Sequence, residues 1–224
     1  MKTKQENLQT ILNRIEKAKR ENNREDRIDL IAVSKKFPTQ DIQELYNLGL
    51  RSFAENYIQE WNTKINQLPS DIIWHVIGSV QSNKTKWVAE NADWLQTLDR
   101  KSVAQRIEVQ RPSHKLPLNV CIEVNISKAK QKSGIVPTQL ENLIEEIIPL
   151  KKICFRGLMC IPEAEDQSQK IEQMQQMQEM FQKLKQMIPT VDTLSMGMSS
   201  DLELAVQYGA NMVRVGTALF GRRK

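Results

Sequence analysis

A chain of 224 residues, 40% hydrophobic and 26% charged, has the size and composition of one ordinary globular domain whose core needs no staples. No apolar run approaches membrane-spanning length, so an integral membrane protein is excluded. The charge-dense N-terminal stretch lacks an apolar h-region, so no signal peptide is expected and the cytoplasm is the expected compartment. The net charge of +5 comes from dispersed Lys and Arg with no basic block interleaved with aromatics, so a small anionic ligand or a solvated surface accounts for it and nucleic acid is not expected.

In chain order, a first helix carries Leu8, Ile11, Leu12 and Ile15 on one face, and a strand candidate follows at Leu30–Ser34. Thr39 is placed to cap a helix through Leu48 that Gly49 ends. Further strands are expected at Ser52–Asn56, Trp74–Gly78, Trp94–Leu98, Val120–Ile126, Cys154–Ile161, Thr193–Met196 and Met212–Phe220. The intervening helices fall at Gln59–Gln67, Ser82–Glu90, Ser102–Gln110, Thr138–Ile148, Gln167–Met187 and Asp201–Tyr208. The strands are short, apolar and without strict alternation, as parallel strands covered on both faces are. An open doubly wound sheet gives the same local alternation; the count of eight favours closure into a (β/α)₈ TIM barrel, with residues 1–224 as one domain.

Two features read as structure. Ile171, Met174, Met177, Phe181, Leu184 and Ile188 recur at helical spacing and are the buried side of an outer helix. Cys121, Cys154 and Cys160 are odd in number, form no CxxC pair and lie in strand-like runs, so reduced structural thiols are expected. With only two histidines, a Cys/His zinc site is not.

A barrel of this kind builds its site from the loops after the strands. After the first strand stand Ser34, Lys35 and Lys36; after the second, Glu55, Asn56 and Tyr57. The third holds His75, and Gln81, Ser82 and Asn83 follow it. The fifth leads to Asn125, Ser127 and a Lys-rich KAKQKSG turn. The seventh ends in Ser195-Met196-Gly197-Met198-Ser199-Ser200, and the eighth holds Arg214, Gly216 and Thr217. These last two groups read as a phosphate site, with close backbone approach at the glycines, hydroxyls, and the N-terminus of the Asp201 helix. Ser199 or Ser200 would equally serve as a plain N-cap. A lysine after a strand is usually solvated, but one in a barrel mouth is desolvated enough for its amine to attack an aldehyde. Alternation puts Lys35 on the face of Ile31 and Val33, and Lys36 on that of Ala32 and Ser34; both faces are apolar, so parity alone chooses neither.

The segments LIAVSKKFP, AENYIQE, WHVIGSVQSNK, EVNISKAKQKSG, GLMCIP and LSMGMSSDLELAVQYGANMVRVGTALFG, in order from Leu30 to Gly221, make the chain resemble the pyridoxal phosphate homeostasis protein family. The resemblance implies a barrel like the N-terminal domain of alanine racemase and pyridoxal 5′-phosphate as cofactor, held as a Schiff base by the lysine after AVS, which is Lys35. It also implies Arg214 facing the pyridine nitrogen, phosphate contacts from Ser199, Ser200, Gly216 and Thr217, and a pocket lined by Asn56 and His75. Two positions depart from the family's pattern. Ala54 stands where Gly is common, which predicts a slightly shifted second loop, and Ser200 stands where Asp is common.

A guanidinium can only donate, so Arg214 leaves the ring nitrogen unprotonated and the ring a weak electron sink, which disfavours transamination. The reading is therefore a carrier that holds the cofactor without robust turnover. Apo enzymes that need the cofactor are its expected partners, and a monomer its expected state. The alternative is a PLP-dependent amino-acid racemase. Such racemases take a second acid/base residue from an additional β domain, and none is expected after Gly221. An imine-forming enzyme acting on a sugar phosphate, or a basic macromolecule-binding regulator, are further readings that a visible spectrum separates from the first two.

Overall fold

The computed structural model describes residues 2–127, 129, 131–162 and 166–221; Lys128 and Lys130 of the Lys-rich turn, and residues 222–224, lie outside them. The first helix, α1 (Lys4–Glu21), opens on a capping box in which the Thr3 hydroxyl accepts from the Glu6 amide and the Glu6 carboxylate accepts from the Thr3 amide. It buries Leu8, Ile11, Ile15 and Ala18, whereas Leu12 stays 39% exposed. The stripe runs at i, i+3, i+7 and i+10, and Leu12 falls just off its edge.

Eight parallel strands then close on themselves in chain order. They are β1 (Asp29–Val33), β2 (Ser52–Glu55), β3 (Ile73–Val76), β4 (Trp94–Leu98), β5 (Leu118–Glu123), β6 (Ile153–Met159), β7 (Thr193–Ser195) and β8 (Met212–Val215). The helices between them are α2 (Thr39–Asn47), α3 (Ile58–Ile65), α4 (Thr85–Asn91), α5 (Lys101–Gln110), α6 (Leu140–Ile147), α7 (Gln167–Met187) and α8 (Leu202–Gln207). The expected (β/α)₈ TIM barrel is therefore the fold. Among the described residues no helix is long and apolar enough to cross a membrane.

Three local expectations change. Thr39 is the first residue of α2, and Pro38 occupies the cap without a side-chain bond. Asp201, not Ser199 or Ser200, takes the cap position of α8. The eighth strand stops at Val215, and Thr217–Phe220 forms one more short helix, α9. An apolar run cannot by itself tell strand from buried helix; here Phe220 stacks on Phe37 at 4.6 Å and the Leu219 carbonyl accepts from the Asn7 amide at 3.0 Å, contacts that seat the run as a helix under α1.

The core has two parts. The strands' outer faces and the helices form the main one, which includes Met174, Met177, Phe181 and Leu184 of α7 as expected. Inside the barrel the apolar cluster is small: Ile31, Val33, Ala54 and Met212. The rest of the interior is polar, with His75, Gln96, Ser195 and Arg214 all buried. Pairing sets Ile31 beside Arg214, and Ala54 beside His75, which in turn lies beside Trp94. The Ala54 methyl is thus absorbed into the interior cluster.

Candidate functional site

A cavity of about 320 Å³ opens at the C-terminal ends of the strands, lined by Val33, Lys35, Asn56, Ile77, Met159, Ile161, Met198, Ser199, Ser200, Arg214, Gly216 and Thr217. Seven of the eight expected site residues converge there, because strand-end loops of a barrel share one mouth. His75 does not line it.

Lys35 reaches the cavity from the turn after β1 and is half-buried. Lys36 is exposed and outside the lining, its backbone turned into the left-handed region at φ 64°. Of the two lysines that alternation left open, Lys35 is the one that lines the cavity. Asn56 is seated by a close approach: a Cβ on Gly78 would lie 2.0 Å from the Asn56 carbonyl oxygen, so only glycine fits opposite it.

Arg214 is 4% exposed. It donates from Nη1 to the Ser195 hydroxyl at 2.6 Å and from Nη2 to the Cys160 carbonyl at 2.8 Å; its other N–H groups make no hydrogen bond among the described residues. Behind it Ser195 contacts Gln96 at 2.6 Å, and Gln96 contacts His75 Nδ1 at 2.9 Å. His75 stacks on Trp94 at 5.4 Å, and burial drives its pKa down to about 3, so the ring is neutral. His75 therefore sits one level below the cavity, as a support for the chain that ends on Arg214.

The Ser199–Ser200 turn is braced from outside the barrel. Arg14 on α1 donates to the Ser199 carbonyl at 3.0 Å while pairing with Glu203 at 2.6 and 2.7 Å. Asp201 Oδ1 accepts the Met198 amide at 2.6 Å, and the Gly197 carbonyl accepts the Arg214 amide at 3.0 Å. Gly197, at φ 94°, brings this turn against α8, where a Cβ would meet that of Ala205 at 2.4 Å. Thr217 opens α9, so two hydroxyl-bearing loops, Ser199–Ser200 and Gly216–Thr217, both line the cavity.

Gln81, Ser82 and Asn83 stand apart from this lining. Asn125 borders a neighbouring cavity of about 300 Å³ with Glu123 and Lys132. Glu123 is buried there, and its carboxyl is pushed up to about 7 by burial and by Asp99, against Arg214 and Lys132. A larger surface cleft, about 520 Å³, meets Ser200 from the far side; its walls carry Glu21, Asp166, Asp201 and Glu203, which suits no anion. Cys121 and Cys160 are buried, with pKa values pushed up to about 12 by burial, and neither is poised as a nucleophile. Sequence reasoning passed over the apolar lining at Ile77, Met159 and Ile161 and the buried Gln96, while Ser195 stood among the strand-end candidates without its place behind Arg214. Strand parity was the signal for both.

The described geometry fits pyridoxal phosphate: an amine, a buried guanidinium with uncommitted donors, and a buried Asn56 Oδ1 that lacks a hydrogen-bond partner share one cavity with two hydroxyl-bearing loops.

Residues 6–224 match the family model described as alanine racemase, N-terminal domain. A protein of Pasteurella multocida named pyridoxal phosphate homeostasis protein is 47% identical over 96% of this chain and 94% of its own length. One of the same name from Escherichia coli is 43% identical over 88% of this chain and 87% of its own. PipY of Synechococcus elongatus, solved with PLP bound, superposes with a TM-score of 0.84 at 32% identity, covering 98% of this chain and all of PipY. A Clostridium difficile alanine racemase, 17% identical, shares the fold at a TM-score of 0.73 over 57% of its own length. The chain belongs to the pyridoxal phosphate homeostasis protein family, a branch of the alanine racemase N-terminal-domain barrels.

Proposed function

We propose that this chain is a monomeric, single-domain cytoplasmic carrier of pyridoxal 5′-phosphate, attaching the cofactor at Lys35 and releasing it to apo enzymes without robust catalysis of its own. The observation that carries the reading is the wall shared by Lys35 and the buried, partly uncommitted guanidinium of Arg214. The names of the relatives and the PLP-bound structure of PipY support it.

When bound, pyridoxal phosphate supplies an aldehyde that condenses reversibly with a primary amine, two amine hydrogens and the carbonyl oxygen leaving as water. Lys35 provides that amine. Arg214 would face the ring nitrogen as a donor and could not protonate it, because a guanidinium keeps its protons. Ser199, Ser200, Thr217 and the Gly216 backbone would hold the phosphate, and Asn56 would line the pocket beside the ring. Val33, Ile77, Met159 and Ile161 exclude water from the rest of the cavity.

The test is titration with pyridoxal phosphate, followed by borohydride reduction and peptide mapping. A visible absorption band and label on Lys35 are expected, lost in Lys35→Ala and kept in Lys36→Ala. No band, or label on Lys36, would overturn the proposal.

A further inference from the structure

The turn that carries Lys35 is gripped by a charged cluster with no part in cofactor contact. Lys64 on α3 is buried, and its ammonium donates to the Ser34 carbonyl at 3.0 Å, to Glu55 Oε1 at 2.7 Å and to Glu60 Oε1 at 2.6 Å. Three ammonium protons thus meet three acceptors. Glu55 Oε1 also accepts the Ser34 hydroxyl at 2.7 Å, and Glu60 Oε1 accepts the Lys36 amide at 2.5 Å. Both chain neighbours of Lys35 are therefore tied, through one ammonium, to β2 and α3.

The backbone records that grip. Lys36 holds φ 64°, a conformation unfavourable for an L side chain, and such positions persist only where their surroundings over-determine them. A buried ion cluster is weak evidence for stability alone, since apolar groups often replace one at no loss. This one makes its bonds to the main chain immediately before and after the reactive lysine.

We propose that Lys64 is a positioning residue: with Glu55 and Glu60 it fixes Ser34 and Lys36, so that the Lys35 amine is presented to the aldehyde of the cofactor. The proposal rests on the pyridoxal phosphate reading. Covalent capture depends on near-attack placement of a flexible side chain, whereas recognition of ring and phosphate uses Arg214, Ser199 and Thr217 and does not. Loosening the turn should therefore separate the two.

The experiment compares pyridoxal 5′-phosphate with pyridoxine 5′-phosphate, which keeps ring and phosphate but has an alcohol in place of the aldehyde. In Lys64→Met, the rate of covalent attachment, read from the visible band, is expected to fall about tenfold or more. Affinity for the alcohol should stay within about twofold, and amide exchange at Lys36 should accelerate in the ligand-free protein. Glu60→Ala, at a less buried position, should shift attachment in the same direction by a smaller factor, and keeps the test decisive if Lys64→Met does not fold. Equal losses for both ligands would make the cluster purely structural, and unchanged attachment would remove its role; either overturns the proposal. A wild-type chain that forms no band at all would sink the functional reading instead.

Discussion

Arg214 Nη1 donates to Ser195 Oγ at 2.6 Å, and that bond sets the direction of every proton behind it. Ser195 must pass its single hydrogen to Gln96 Oε1, which leaves Gln96 Nε2 to donate to His75 Nδ1 and places the imidazole proton on Nε2. Removing the hydroxyl strands donors or acceptors at both ends of a buried chain. Ser195→Ala should therefore cost about 1–3 kcal/mol in urea denaturation and weaken retention of the cofactor through Arg214. A change within experimental scatter in both measurements would show that the chain tolerates a gap.

Two buried groups work on stability with opposite signs. His75 has a pKa of about 3 in the fold against an ordinary 6.5, so below 6.5 the unfolded chain binds a proton that the folded one refuses, and stability is lost as pH falls. Glu123 has a pKa of about 7 against 4.5, so between those values the folded chain keeps a proton that the unfolded one has released, and stability is lost as pH rises. Each slope is about 1.4 kcal/mol per pH unit, and they oppose over roughly pH 4.5–6.5. The contribution of this pair should then be flat in the native chain. His75→Asn, which retains an acceptor for Gln96, should make stability fall with rising pH across that window, and Glu123→Gln should make it rise. Chemical denaturation at about pH 5 and about pH 6 decides; parallel behaviour of all three chains would contradict the assignment.

Phosphate recognition should be separable from ring recognition. Replacing Ser199 and Thr217 together with Ala is expected to weaken binding of pyridoxal phosphate by tenfold or more per contact, at about 1.5–3 kcal/mol each, and that of unphosphorylated pyridoxal far less. Arg14→Ala, which frees the Ser199 carbonyl from α1, should move binding in the same direction by a smaller factor. Equal weakening of both ligands by the double variant would assign these residues to structure.

Turnover is expected to be slight. On the carrier proposal, a guanidinium facing the ring nitrogen would leave the ring a weak electron sink. Purified protein should therefore racemise no single amino acid at ordinary enzymatic rates, while donating bound cofactor to an apo enzyme measurably. Robust racemisation of alanine or serine, followed by chiral chromatography, would favour the racemase alternative.

The barrel and the meeting of Lys35 with Arg214, Ser199 and Thr217 were legible because strand-end positions in this architecture project to one mouth. Depth was less legible. Parity places His75 on the inner face correctly, but Ile77, two residues on, lies roughly 6.6 Å further along the strand and reaches the cavity in its place. Lys64 was not legible at all. Glu60 and Lys64 stand at the i, i+4 spacing typical of a solvated pair on a helix surface, and only the packing of α3 over the β1–α2 turn buries Lys64. The end of the eighth strand failed for a similar reason, since the contacts that make Thr217–Phe220 helical come from Phe37 and Asn7, far away in sequence.

Trp94 has a consequence for traffic. Its ring lies against His75 at 5.4 Å and is met by the Arg156 guanidinium at 5.0 Å, beneath the buried Gln96 and Ser195. Among the described residues these side chains fill the barrel interior on that side of the cavity. On the side of Lys35 and Arg214 the cavity carries an exposed rim that includes Ile161 and Met198. On the carrier proposal, loading and unloading past this rim would share one doorway, so an incoming molecule and a departing one would be mutually exclusive. A recipient of the proposed kind would then have to wait at, or cover, the very face through which the next cargo arrives.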